Sequence, residues 1–195
     1  VVQAVLAALF HKQRTGEGQQ IEVPMFETMV SFTMVEHLWG QAFRPPIGKA
    51  GYTRLMAKHR RPYKTQDGQY LAVLPYWDNH WKTFCEISGR NELIKDDRFI
   101  DMASRLKNID ESYRLTSEII SSRTRDQWLD LLGDTKIPMM VVNSLDDLIE
   151  DPQLVASECW QEFDHPTEGQ IRLASSPINF DKTPTSIRHL APRLG

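Results

Sequence analysis

Apolar positions along the first forty residues change period twice. Val2, Val5, Leu6 and Leu9 fall on one stripe of a repeat of about 3.6 residues, which predicts a helix over residues 1–13. His11, Lys12 and Arg14 follow, where positive charge suits a helix C-terminus. Gly16 or Gly18 can take the left-handed conformation that ends such a helix. "QQIEV", residues 19–23, then alternates as a strand does. Pro24 suits the first turn of a second helix carrying Phe26, Met29, Val30, Met34, Leu38 and Trp39, with Gly40 as its stop. Helix, strand and helix in succession predict an α/β domain.

Residues 41–60, "QAFRPPIGKAGYTRLMAKHR", break this periodicity. Two prolines, two glycines and six basic residues share the stretch, which reads as an interdomain linker or a binding loop. Asp67-Gly68 between two alternating runs then signals a hairpin, with Tyr63, Thr65, Tyr70, Ala72 and Leu74 as strand residues. Residues 77–90 read as a helix whose apolar stripe is Trp77, Trp81, Phe84 and Ile87, stopped by Gly89. A further amphipathic helix is predicted over 104–121. Thr124 and Gln127 form a capping-box pair at the start of the next, which Gly133 closes. Residues 60–135 thus read as a small α+β unit: an antiparallel hairpin packed with helices. "IPMMVVN" is a short apolar strand, Ser144 caps a short acidic helix, and two strands flank a turn at 166–169 before a proline-punctuated tail.

Composition narrows the function classes. A net charge of −3 supplies no basic face for nucleic acid. Cys85 and Cys159 are far apart and outside any metal-ligand spacing, as in reduced thiols of a cytoplasmic protein. Residues 1–10 are apolar but too short to span a bilayer, and they lack the flanks of a signal peptide. A chain that opens in mid-helix without an initiator methionine reads as a piece of something longer.

The sequence carries no G-x-S-x-G, H-E-x-x-H, Walker or G-x-G-x-x-G pattern. "GEG" at 16–18 follows a helix and does not open one, so it reads as a cap. Asp96, Asp97, Arg98 and Arg105 read as local capping and ion pairing, and His165 beside its turn as structural. The candidate for ligand contact is the basic loop with Arg44, Lys49, Arg54, Lys58, His59, Arg60 and Arg61. Paired positive charge there suits a phosphorylated ligand, and the alternative is a solvated connector.

Taken in order, "AALFHKQRTGEGQQIEVPMFE", "RRPYKTQDGQYLAV", "DDRF", "IPMMVV", "EDPQL", "DHPTEGQIRL", "SSPINF" and "APRLG" resemble the C-terminal half of family III CoA-transferases. That group includes formyl-CoA transferase and carnitine CoA-transferase-like proteins, with the α-methylacyl-CoA racemases as relatives. The resemblance covers residues 1–195 and implies a Rossmann-like large α/β domain, a smaller α+β domain and two linkers, in two chains interlocked as rings. On that template residues 1–40 belong to the large domain, 41–60 to a linker, 61–140 to the small domain, and 141–195 return to the large domain.

The resemblance also implies chemistry. An aspartate attacks an acyl-CoA thioester, becomes an aspartyl-CoA thioester through a mixed anhydride, and passes CoA to a carboxylic acid. By the family spacing that aspartate lies before Val1, so no catalytic residue is assigned within the chain. No metal or covalently bound cofactor is implied, and CoA enters as a thioester substrate. The implied partners are an acyl-CoA, an acceptor acid and a second copy of the chain, with no nucleic acid and no membrane. Lys49, Arg54, Lys58, His59 and Arg60 are the expected substrate or CoA contacts. The stretch "GKAGYTRLMAKHRR" stands where formyl-CoA transferases carry a glycine run and lacks that run, which favours the carnitine-type branch. The alternatives are an acyl-CoA racemase or epimerase, and a non-catalytic binding or assembly segment.

Overall fold

A computed structural model describes residues 1–193 as a mixed arrangement of helices and strands. Leu194 and Gly195, the last two residues of "APRLG", lie outside the described residues. The chain forms two compact units, the first from Val1–Arg61 with Trp77–Glu118, the second from Pro62–Tyr76 with the chain from Ile119 onward.

The first unit is helical. α1 (Val2–Thr15) ends as its glycine predicts: Gly16 has φ 79° and donates its N–H to the Lys12 carbonyl at 2.8 Å. α2 (Met25–His37) starts directly after Pro24. Residues 19–23 form no strand, because no partner ladder is present to take their backbone groups among the described residues. The apolar stripes of α1 and α2 are exposed: Leu6, Leu9, Phe26 and Val35 are each more than half accessible. α3 (Thr53–Met56) is a single turn.

α4 (Asp78–Ser88) buries Trp81, Phe84 and Cys85, while Trp77 stands outside the helix as its N-cap and is exposed. Trp81 packs on Phe99 with ring centroids 5.7 Å apart and on Phe84 at 6.3 Å. Burial pushes the Cys85 thiol up to about 12, so it is an inert core residue. The helix expected over 104–121 is two helices, α5 (Met102–Lys107) and α6 (Ile109–Ile120). The junction is Asn108, whose side-chain amide donates to the Ser104 and Arg98 carbonyls and competes with continued helix bonding. Asp101 caps α5 by accepting the Ser104 N–H at 2.7 Å.

The second unit holds two sheets. In the first, β1 (Tyr63–Lys64), β2 (Tyr70–Val73) and β3 (Met139–Val141) run in that order, antiparallel, with Tyr63 opposite Leu71 and Leu71 opposite Val141. The Asp67-Gly68 turn joins β1 to β2, with Gly68 at φ 82° where only glycine is unstrained. α7 (Arg125–Leu132) carries the predicted capping box, Thr124 and Gln127 each bonding the other's backbone. Leu71, Val73, Ile120, Trp128, Leu132 and Ile137 are buried and make up this unit's core. α8 (Pro152–Ala156) precedes the second sheet, a hairpin of β4 (Trp160–His165) and β5 (Gly169–Ala174) turned at Gly169, φ 75°.

Candidate functional site

The basic stretch that the sequence marks out is built in two parts within the first unit. Residues 37–52 form a loop closed at its base. The His37 carbonyl accepts the Gly51 N–H at 2.8 Å, and its ring Nδ1 accepts the Tyr52 N–H at 3.2 Å. The Gly40 carbonyl accepts the Ile47 N–H at 3.1 Å, and Gln41 donates its side-chain amide to the Gly48 carbonyl at 2.8 Å. Trp39 stacks on Tyr52 with ring centroids 4.9 Å apart. These bonds turn an irregular, proline-containing segment into a compact closed loop of the kind often used for binding.

Gly40 is buried where the two sides of the loop meet, and a Cβ there would lie 2.5 Å from the Gly48 Cα. Gly40→Ala is therefore expected to open the base of the loop at a cost of about 1–3 kcal/mol. Faster hydrogen exchange at the Ile47 and Gly51 amides, with protection kept in α4, is the readout. Unchanged exchange at those amides would mean that the contact is not needed.

The second part is the run Lys58–Arg61 after α3. Lys49 lies exposed in the closed loop, whereas Arg54 on α3 is buried, only 6% accessible. Lys58 and Arg60 are exposed and His59 is half-buried. Arg61 turns back to the Lys58 carbonyl at 3.4 Å. The next two contacts come from α6. The Asp110 carboxylate accepts the His59 backbone N–H through Oδ1 at 2.8 Å and meets the ring Nδ1 through Oδ2 at 2.8 Å. One turn on, the buried Tyr113 hydroxyl accepts from Arg60 Nη1 at 3.4 Å.

The electrostatics follow from these bonds. The His59 backbone N–H holds the Asp110 carboxyl below the usual carboxylate range, against the opposing effect of burial, with the His59 ring hydrogen bond and the Lys58 charge adding to the lowering. An ionised carboxylate only accepts, so the ring proton sits on Nδ1 and Nε2 is left for other use. His59 and Arg60 are thus brought together by one helix turn, while Lys49 and Arg54 sit on separate elements.

The remaining candidates are structural. Arg98 grips Asp96 with Nη2 at 2.7 Å from Oδ2, and that hydrogen bond holds the Asp96 carboxyl low. Arg105 pairs with Asp78 instead, at 2.5 Å. His165 is buried, with Nε2 donating to the Ala191 carbonyl at 2.8 Å and Nδ1 accepting from the Thr167 and Glu168 N–H groups. Among the described residues no cluster of three or more His, Cys, Asp or Glu side chains could hold a metal ion. No helix among them is long and apolar enough to cross a membrane. Asp110 and Tyr113 were not singled out in the sequence. Their only signal is the i, i+3 spacing on one helix face, which says nothing of a partner 51 residues away.

The chain is a mixed helix and strand domain with a basic loop docked on a helix, and its similarity to known proteins gives its family. The chain belongs to CoA-transferase family III, which it matches over residues 1–195. It is 28% identical over 191 residues to a succinyl-CoA:mesaconate CoA-transferase of Haloarcula hispanica, covering 97% of this chain and 47% of that protein. It is 26% identical to a formyl-CoA:oxalate CoA-transferase of Streptomyces coelicolor, covering 100% of this chain and 51% of that protein. The crystal structure of a CaiB/BaiF family protein from Brucella suis shares the fold, with a TM-score of 0.71 at 24% identity over 99% of this chain and 50% of that one. The chain spans about half the length of the curated relatives it matches.

Proposed function

We propose that the protein containing this chain is an acyl-CoA:carboxylic acid CoA-transferase. The observation that carries this reading is the family match over every residue of the chain, together with relatives named as CoA-transferases for several different acids. The reaction proceeds by covalent catalysis. An aspartate carboxylate N-terminal to Val1 attacks the thioester carbonyl and releases CoA thiolate, leaving a mixed anhydride. The thiolate then attacks the aspartyl carbonyl, freeing the donor acid and forming an aspartyl-CoA thioester. The acceptor carboxylate attacks the aspartyl thioester carbonyl and expels CoA thiolate, giving a second mixed anhydride; the thiolate then attacks the acceptor acyl carbon, forming the new acyl-CoA and freeing the aspartate carboxylate. CoA enters and leaves as substrate, and the reaction needs no metal.

In this reading residues 1–40 and 141–195 belong to a Rossmann-like large domain, 41–60 to a linker, and 61–140 to the small domain. The exposed apolar faces of α1 and α2 pack against the remainder of a cytoplasmic, interlocked homodimer. Lys49, Arg54, Lys58, His59 and Arg60 serve the acyl-CoA site, Arg54 from within the unit and the others from its surface. The chain alone neither hydrolyses nor transfers CoA.

The test is an exchange assay on the full-length protein with a panel of CoA donors and acceptor acids, read by mass spectrometry of the acyl-CoA pool. Acceptor-dependent formation of a new acyl-CoA, with a CoA adduct on the protein during turnover, is the expected result. Absence of exchange for every pair would end the transferase reading.

A further inference from the structure

The geometry at the start of α6 points to a role that the basic loop does not fill alone. We infer that His59 and Arg60 form an oxyanion-recognising edge, and that Asp110 and Tyr113 are the positioning residues that set it. The ligand chemistry is an anionic oxygen group, either a carboxylate of the acid or a phosphate of CoA. This assignment rests on the proposed transferase for the identity of the ligand, but not for the existence of the site.

Three observations carry it. First, a single carboxylate holds both the backbone N–H and the ring Nδ1 of His59 at 2.8 Å. That double hold fixes the ring's position and tautomer at once, which a surface ion pair does not do. Second, Nε2 has no hydrogen-bond partner among the described residues, and the His59 side chain is 27% exposed. With Asp110 on Nδ1, a protonated ring donates from Nε2, and the carboxylate compensates the imidazolium, as in other carboxylate–histidine pairs. Third, Tyr113 engages one nitrogen of the Arg60 guanidinium, which leaves the other N–H groups of its planar fork to meet an oxyanion bidentately. Lys58 and Arg61 add positive charge on either side, so the cluster is net cationic even with Asp110 counted.

In this arrangement α6 acts as a template. Two residues one turn apart, Asp110 and Tyr113, pin two consecutive loop residues. Pre-ordering long cationic side chains in this way lowers the entropy lost when an anion binds.

The experiment uses full-length protein and the variants His59→Ala, Asp110→Asn, Tyr113→Phe and the double variant His59→Ala/Asp110→Asn. In Asp110→Asn the side-chain carbonyl oxygen can still accept the His59 backbone N–H. The amide N–H₂ facing Nδ1 can only donate to it, so the ring is held neutral with its proton on Nε2 and the anion loses a positive partner. Steady-state constants are measured for donor and acceptor separately, with thermal melts alongside. His59→Ala is expected to raise one KM about tenfold while kcat stays within about twofold. Asp110→Asn raises the same KM about threefold to fivefold. The double variant is no worse than His59→Ala, because Asp110 acts through His59. A raised KM for the CoA donor identifies phosphate as the ligand group, and a raised KM for the acid identifies carboxylate.

If the wild type exchanges no CoA, the transferase reading fails, and calorimetric binding of CoA alone and of succinate alone then decides the site. Binding of either probe weakened about tenfold in His59→Ala supports it. The proposal is overturned if transfer persists with both KM values unchanged in His59→Ala, if the Asp110→Asn and His59→Ala effects simply add, or if neither probe's binding depends on His59.

Discussion

Trp128→Ala is expected to remove about 3–5 kcal/mol of stability from the second unit. The indole is fully buried on α7 and is the largest side chain of that core. Its Nε1 donates to the Ile120 carbonyl at 2.7 Å, one of the last carbonyls of α6, which also accepts the Arg123 N–H at a longer 3.5 Å. The Arg123 guanidinium lies 4.8 Å from the ring centroid. Truncation therefore opens a cavity, leaves the Ile120 carbonyl only its longer bond from the Arg123 N–H and removes the cation–π contact together. Because domains are stable by only about 5–15 kcal/mol, this loss reaches a large fraction of the total. Chemical denaturation followed by far-UV circular dichroism measures it. Trp128→Phe keeps much of the ring volume but not the N–H, so it should fall between wild type and alanine. A loss below about 1 kcal/mol for alanine would contradict the packing described.

What the sequence discloses here divides by how far apart the interacting groups lie. Gly16, Gly68, Gly89 and Gly169 all take the positive φ that their turns and caps suggest, and the Thr124–Gln127 box forms as spaced. Each of these depends on a few neighbouring residues. "QQIEV" alternates as a strand, but alternation is only a capacity, and a strand exists when a ladder takes up its N–H and C=O groups. β3 finds that ladder on β2, about seventy residues back, through a pairing that no local pattern records. Residues 19–23 find none among the described residues. The stripes on α1 and α2 are equally legible as helix, yet nothing in their periodicity says what covers them.

The candidate site divides the same way. Its cationic composition is visible in "KHRR", and its irregular backbone in the prolines and glycines of 41–60. The closure of the loop on His37 and the docking of His59 on Asp110 are long-range events. They turn on an acceptor placed by another element, so a reading of the loop alone leaves it open between connector and binding surface. Exposure also differs within the run of basic residues. Arg54 is buried while Lys58 and Arg60 are not, a distinction set by the single turn of α3 and invisible in charge counts.

Arg105→Ala is expected to cost the first unit about 2–4 kcal/mol. The sequence places Arg105 among the charges of 96–98, but the side chain reaches instead to α4. Its Nη2 donates to Asp78 Oδ1 at 2.5 Å, its Nη1 to the Phe99 carbonyl at 2.9 Å, and the guanidinium stands 5.8 Å from the Trp81 ring centroid. The residue is 4% exposed, so its donors are dehydrated and their loss is not made good by water. The two ends of the ion pair are unequal, since the Asp78 side chain is 62% exposed. Asp78→Asn is therefore expected to cost about 1 kcal/mol or less, shrinking as salt is raised. The Arg105 effect should persist in salt, because the bond to the Phe99 carbonyl and the packing on Trp81 do not depend on a screened charge. Arg105→Met restores volume without the donors, and Arg105→Lys restores charge without the fork. Both should recover only part of the loss, with Met ahead of Lys if packing on Trp81 dominates. Denaturant midpoints for the set of variants at low and high salt decide among these terms. Equal costs for Arg105→Ala and Asp78→Asn would show that the ion pair, and not the buried fork, holds α4 to α5.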